Sequence, residues 1–274
     1  MNTERLYFDE YIKFLAKKNE GGIAVVTGAT GRIGGIFTNA LLYRGFRVIA
    51  CSRNQIGFES FQAKIPHELL KNIEWHKLDL RNKESITELI ENINCKHGSI
   101  DFIVNSAIDV NRGMNYQYHE DNLESECWGA LAGSILLIEG LLPNLRKSLQ
   151  ANKKIINVSS LWGTVVPDFN TYLDLDIAPS PVLVCGKFAI NGYTKYLASR
   201  EAKFGITCNA LAPGFFPKKG KNDRPDYVQE ICRRTMVKRI GNLDELIPAI
   251  HFLIDDLGYT TGSIVSVDGG YTAW

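Results

Sequence analysis

No apolar run in the 274 residues approaches the ~20 needed to span a bilayer. Neither charge dominates: 31 Lys and Arg stand against 30 Asp and Glu, a formal net charge of +1. That balance excludes a field strong enough to hold nucleic acid or an acidic membrane, so neither is expected as a partner. The six cysteines, at 51, 95, 127, 185, 208 and 232, make no C-x-x-C pair and no metal-ligand spacing. They are expected as reduced, mostly buried thiols of a cytoplasmic protein, with no metal site. The first twenty residues carry acids throughout and no signal-peptide core. Leu6, Tyr7, Tyr11, Phe14 and Leu15 fall at helical spacing, so residues 1–21 read as an extension with a short amphipathic helix. No Pro/Ser-rich linker and no internal repeat divides the rest, which reads as one domain over residues 22–274.

What is there is a rhythm. Short apolar runs at 23–27, 47–51, 74–78, 100–105, 154–159, 207–212 and 263–267 read as strands. Helical patterns at 36–44, 83–94, 124–149, 184–204 and 243–254 separate most of them, with Pro143 expected to bend the third. This alternation predicts an α/β fold: a single doubly wound, Rossmann-type domain with a parallel sheet of about seven strands. Residues 164–181 and 215–237 break the rhythm. Both follow strands, so both are expected to border the crevice at the carboxyl ends of the sheet.

Gly28, Gly31 and Gly34 lie between the first strand and the first helix. Glycine there permits a tight turn and close approach of backbone to a pyrophosphate at a helix N-terminus; a plain helix-capping turn is the other reading. The second strand ends at Ser52-Arg53 with no acid for a ribose 2′-hydroxyl. A cation and donors suit a 2′-phosphate, and Arg32 adds a second cation, so NADP(H) is favoured over NAD(H). The alternative is that Arg53 is a surface arginine.

Six segments in order resemble the short-chain dehydrogenase/reductase family: Thr27-Gly28-Ala29-Thr30-Gly31-Arg32-Ile33-Gly34, Leu78-Asp79-Leu80, residues 101–108, residues 156–163, residues 209–214, and residues 261–270. Arg32, Ser106 and Ile108 depart from the family's usual residues. The resemblance implies cofactor contacts from Gly28, Thr30, Gly31, Arg32, Ile33, Gly34, Ser52, Arg53, Asp79, Leu80, Asn105, Ser106, Ala107, Lys187, Pro213, Gly214 and Phe216. It also implies a serine at Ser160 and a lysine at Lys187. The family's tyrosine position is then Leu183, and its asparagine position falls near Ala130. Tyr172 lies twelve residues after Ser160, at a spacing common in the family. Asp176, four residues on, would raise a phenol pKa rather than lower it. Residues 164–181 resemble an insertion in members encoded near bacterial surface-sugar genes.

Three functions stay open on these residues. The first is an NADP(H)-dependent oxidoreductase on a carbonyl or hydroxyl, with Tyr172 or a water handling the proton. The second is a catalytically inactive subunit that binds cofactor or partners a catalytic relative in a hetero-oligomer. The third is a non-redox dehydratase or isomerase using Asp168, Asp174 or Asp176. The substrate is expected to be a small molecule in a partly aromatic pocket of Trp162, Tyr172, Phe215 and Phe216. Cys185 is expected to face the core. The family's habit implies a homodimer or homotetramer through the two long helices.

Overall fold

The computed structural model describes residues 21–109, 122–172, 179–217, 225–255 and 258–274, without the side chains of residues 171 and 172. The helix expected within residues 1–20 lies outside them. Seven strands form one sheet: β1 Ile23–Thr27, β2 Arg47–Ser52, β3 Ile73–Lys77, β4 Phe102–Asn105, β5 Lys153–Val158, β6 Ile206–Pro213 and β7 Ile264–Val267. Their order is β3-β2-β1-β4-β5-β6-β7, and every neighbouring pair is parallel. The chain runs outward from β1 to β3, then returns past β1 to begin β4. That reversal opens a crevice beyond the carboxyl ends of β1 and β4.

The strands read as near-continuous apolar runs because both of their faces are covered. Ala24, Val26, Val48 and Ala50 point into one core cluster, and Val25, Ile49 and Cys51 point into the other. Helix α1, Arg32–Leu42, gives Phe37, Leu41 and Leu42 to the first cluster. Helices α3 (Lys83–Lys96), α5 (Gly133–Lys147) and α6 (Pro181–Glu201) cover the opposite face with Ile86, Leu89, Leu137, Leu141 and Leu197. Helix α6 begins at Pro181, where a proline costs no hydrogen bond.

Several expectations change. A helix α2, Gln55–Gln62, follows β2, where Asn54 accepts from the Gly57 N–H at 2.7 Å and caps it. The stretch 215–237 contains helix α7, Pro225–Arg234. Pro143 does not interrupt its helix: α5 runs through it to Lys147. The irregularity comes earlier, where the π-helical segment Trp128–Ala132 joins α4, Leu123–Cys127, to α5. There the Asp109 N–H donates to the Gly129 carbonyl at 3.0 Å, so the chain leaving β4 docks on the wound-out turn. Leu123–Lys147 is long and apolar enough to cross a membrane, yet 56% of its most apolar window is buried in the fold, as befits a core helix. The thiols are not mostly buried. Only Cys51 and Cys208 are; Cys95, Cys127 and Cys185 are exposed, because Gly186 and Lys187 take the inward face of α6.

The last helix, α8 (Ile247–Asp255), is fastened to α1 by a buried fork. Both carboxylate oxygens of Asp255 accept from the Arg44 guanidinium, whose Nη1 also donates to the Ala40 carbonyl at 2.9 Å. Removing one partner strands a buried charge. Asp255→Ala is expected to lower unfolding free energy by about 3 kcal/mol, read as a lower denaturant midpoint at unchanged slope.

Candidate active site

The glycine turn is sterically closed to side chains. Gly28 has φ +62°, and a Cβ there would lie 3.0 Å from the Ala107 Cα. A Cβ on Gly34 would lie 2.1 Å from the Gly28 carbonyl oxygen. The Gly31 N–H donates to that oxygen at 2.8 Å, which folds the turn onto itself. No side chain caps α1, so its first N–H groups open into the crevice.

Thr27 locks the other wall. Its Oγ1 accepts from the N–H groups of Ser106 (3.0 Å) and Ala107 (2.9 Å). Behind it, Asn105 Oδ1 accepts from Ser134 Oγ, and Asn105 Nδ2 donates to Asn157, whose Nδ2 donates to Thr194 Oγ1. Asn105 is buried in this network and does not line the crevice; its role is to hold β4, β5, α5 and α6 together.

The cleft encloses about 640 Å³. It brings together, of the residues singled out in the sequence, Gly28, Thr30, Gly31, Arg32, Ile33, Gly34, Ser52, Arg53, Leu80, Ser106, Ala107, Ser160, Leu183, Lys187, Pro213, Gly214 and Phe216. Asp79 is not among its lining residues. In the extended segment Leu78 and Leu80 take the cleft side, while the Asp79 carboxylate accepts from the Arg81 N–H at 2.9 Å. The two arginines differ in what they reach. Arg32 donates to the carbonyls of Phe216 (2.6 Å) and Pro217 (3.2 Å), on the β6 side of the cleft and away from the end of β2. Arg53 pairs with Asp109 at 2.9 Å. The Ser52 hydroxyl accepts from Trp75 Nε1 on β3 and donates to the Asn54 carbonyl in its own loop, so it is engaged on both sides.

The lining also holds Cys51, Asn54, Gly57, Leu78, Ile108, Asp109, Val158, Ser159 and Leu243, which sequence reasoning did not single out as site residues. Asp109 is the consequential one. Its only signal was its place directly after the segment 101–108.

At the other end, Leu183 and Lys187 stand one turn apart on α6, and both line the cleft with Ser160. Lys187 is 7% exposed, and its Nζ donates to the Val158 carbonyl at 2.7 Å. Ser160 Oγ accepts from the Trp162 N–H at 3.2 Å. Ala130 is buried beneath Gly186, where an added Cβ would lie 3.0 Å from the Ala130 Cβ. The Tyr172 side chain, Asp174 and Asp176 lie outside the described residues. Asp168 pairs with Arg234 at 2.6 Å; the Asn170 N–H, then this arginine, hold its carboxyl below the usual range. Of the four aromatics expected at the pocket, Phe216 lines it and the Tyr172 side chain lies outside the described residues. Trp162 and Phe215 pack edge-on with each other and with Tyr271, and of the described aromatics only Phe216 lines the cleft. Its charged lining side chains, among the described residues, are Arg32, Arg53, Asp109 and Lys187.

A family model described as enoyl-(acyl carrier protein) reductase matches residues 28–272. The chain belongs to the short-chain dehydrogenase/reductase family. It is 28% identical to a 3-oxoacyl-(acyl-carrier-protein) reductase of Thermotoga maritima, covering 92% of this chain and 98% of that one. It is 26% identical to a 7alpha-hydroxysteroid dehydrogenase of Clostridium sardiniense, over 93% and 95% of the two chains. A short-chain dehydrogenase from Leptospira borgpetersenii, solved with bound NAD+, shares the fold with a TM-score of 0.79 at 24% identity, over 94% and 95% of the chains. As a short-chain dehydrogenase/reductase, the chain is an oxidoreductase by type.

In this short-chain dehydrogenase/reductase the crevice depends on one hydroxyl. Thr27→Val keeps the shape but leaves the Ser106 and Ala107 N–H groups without their acceptor. The expected loss is about 2 kcal/mol of stability, measured by chemical denaturation.

Proposed function

We infer that the chain is an NADP(H)-dependent oxidoreductase acting on the carbonyl or hydroxyl of a small molecule, with an atypical proton donor. One observation carries this reading. A single cleft runs from the ribose end at Ser52 and Arg53 to Ser160 and Lys187, across a turn whose glycines leave room for a dinucleotide backbone and for no side chain. A helix N-terminus without a side-chain cap suits the pyrophosphate. Arg53 at the end of β2, with no acid beside it on that strand, supports NADP(H) over NAD(H). The thiols' lack of disulfide or metal spacing supports a cytoplasmic setting.

The bound nicotinamide supplies or takes the hydride; the rest falls to the chain. Ser160 orients the substrate oxygen with its hydroxyl. Lys187 holds the nicotinamide ribose from its anchored position at the Val158 carbonyl. Leu183 lies where the family carries its tyrosine, and it has no proton to give. A water held by Lys187 would then protonate the product oxygen and take a replacement proton from bulk solvent. General acid catalysis contributes roughly 10²–10⁴-fold, so turnover is expected to be slow. Leu183→Tyr restores a phenol one turn from a lysine and is expected to raise kcat about 10²-fold. Fluorescence titration with NADPH and NADH tests the cofactor reading, and no binding at millimolar nucleotide sinks it. Carbonyl reduction by wild type and Leu183→Tyr tests the chemistry. Nucleotide binding with no turnover in wild type, and turnover gained on Leu183→Tyr, points instead to an inactive subunit.

Helices α5 and α6 are expected to pair across a homodimer or homotetramer, and exposed Phe188 and Tyr196 on α6 support this. Light scattering at micromolar protein should return at least twice the chain mass. A monomer contradicts it.

A further inference from the structure

We propose that Asp109 is an internal anion at the ribose end of the cleft, and that its carboxylate sets how strongly the protein prefers NADPH to NADH. The inference rests on the dinucleotide reading and adds a residue to it. Asp109 Oδ2 lies 2.9 Å from Arg53 Nη1 and 3.1 Å from Arg81 Nε. The Asp109 carbonyl also accepts from Arg81, at 3.2 Å from Nε and 3.0 Å from Nη2. One side chain thus engages both guanidiniums at this end.

The carboxylate is held in place from behind. The Asp109 N–H donates to the Gly129 carbonyl, and a Cβ on Gly129 would lie 1.8 Å from the Asp109 carbonyl oxygen. Only glycine lets the two backbones meet there. Arg81 is fixed in turn, since its own N–H donates to Asp79. Arg53 is the looser partner: its side chain is 64% exposed, against 29% for Arg81 and 19% for Asp109. A fixed anion and a fixed cation therefore stand beside a cation that is free to swing.

The two nucleotides meet this arrangement differently. The 2′-phosphate of NADPH carries nearly two negative charges. It must draw Arg53 away from Asp109 and sit near that carboxylate, a like-charge contact that weakens binding. NADH brings a 2′-hydroxyl, which donates to a carboxylate without penalty. Asp109 therefore narrows the gap between the two. Arg81 neutralises part of its charge, so Arg81 favours NADPH without needing to touch it.

The test is fluorescence titration of both nucleotides against the full-length protein and two variants. Asp109→Asn keeps the size and both backbone hydrogen bonds and removes the charge. It is expected to tighten NADPH about tenfold and to leave NADH unchanged or weaker. Arg81→Gln is expected to weaken NADPH several-fold and NADH less. An unchanged NADPH-to-NADH ratio in Asp109→Asn, or an equal shift for both nucleotides in Arg81→Gln, overturns the proposal. Since Arg81→Gln keeps Asp109, it decides the matter if Asp109→Asn loses its native circular dichroism. Failure of the wild type to bind either nucleotide is a separate result that removes the dinucleotide reading itself. Wild-type binding with an unmoved ratio removes only the role of Asp109.

Discussion

The contact on which this molecule turns is the approach of Gly34 to the Gly28 carbonyl. It leaves no room for a single methyl group. Because the turn is that tight, α1 starts directly from it at Arg32, and its first N–H groups face the crevice rather than a capping side chain. Because Gly28 adopts a positive φ against the Ala107 backbone, β1 and β4 end at the same level. Thr27 then needs only one oxygen to tie the two ends. Packing and the open start of α1 follow from one absence of side-chain volume.

Charge is arranged across this frame rather than along it. Arg32 reaches from the turn to the segment after β6, and Arg53 reaches from the end of β2 to the segment after β4. Both arginines thus reach towards the β7 edge of the sheet, but they end at different segments. Sequence position suggested that both would serve one phosphate. In the structure their guanidiniums are engaged at separate places, Arg32 at the carbonyls of Phe216 and Pro217 and Arg53 at Asp109. Arg32 straps the cleft by donating to the Phe216 and Pro217 carbonyls at its rim. Neither an exposed pair such as Arg53–Asp109 nor an exposed arginine-to-carbonyl bond contributes much to stability. Their weight lies in which way the guanidiniums face.

The fold was legible because buried parallel strands write themselves as apolar runs, and all seven stand within two residues of where the runs fall. The glycine turn was legible for the same local reason. Helix α2 was not: its capping depends on Asn54, and it buries only Phe58. The π-helical segment was not legible either, because it answers to a loop more than fifteen residues away, docking Asp109 on Gly129. Cys185 was misplaced because α6 is amphipathic only weakly, so its inward face is set by Gly186 on Ala130. Asp109 itself carried no motif. Its meaning comes from Arg53 and Arg81, which lie far from it in sequence.

Lys187 shows how far a retained residue argues for chemistry. Its amine donates to the Val158 carbonyl, and its own carbonyl faces the Cβ position of Gly163, so the residue also joins α6 to the end of β5. Such a lysine has a structural reason to persist when catalysis changes. Leu183 has no comparable duty: it lines the cleft and completes no network. The pair therefore separates two questions that the usual tyrosine and lysine leave joined. Lysine bears on whether the strand and helix meet correctly beneath the cleft. The residue one turn earlier, Leu183, lines the cleft without a polar group, so the two positions can be varied independently.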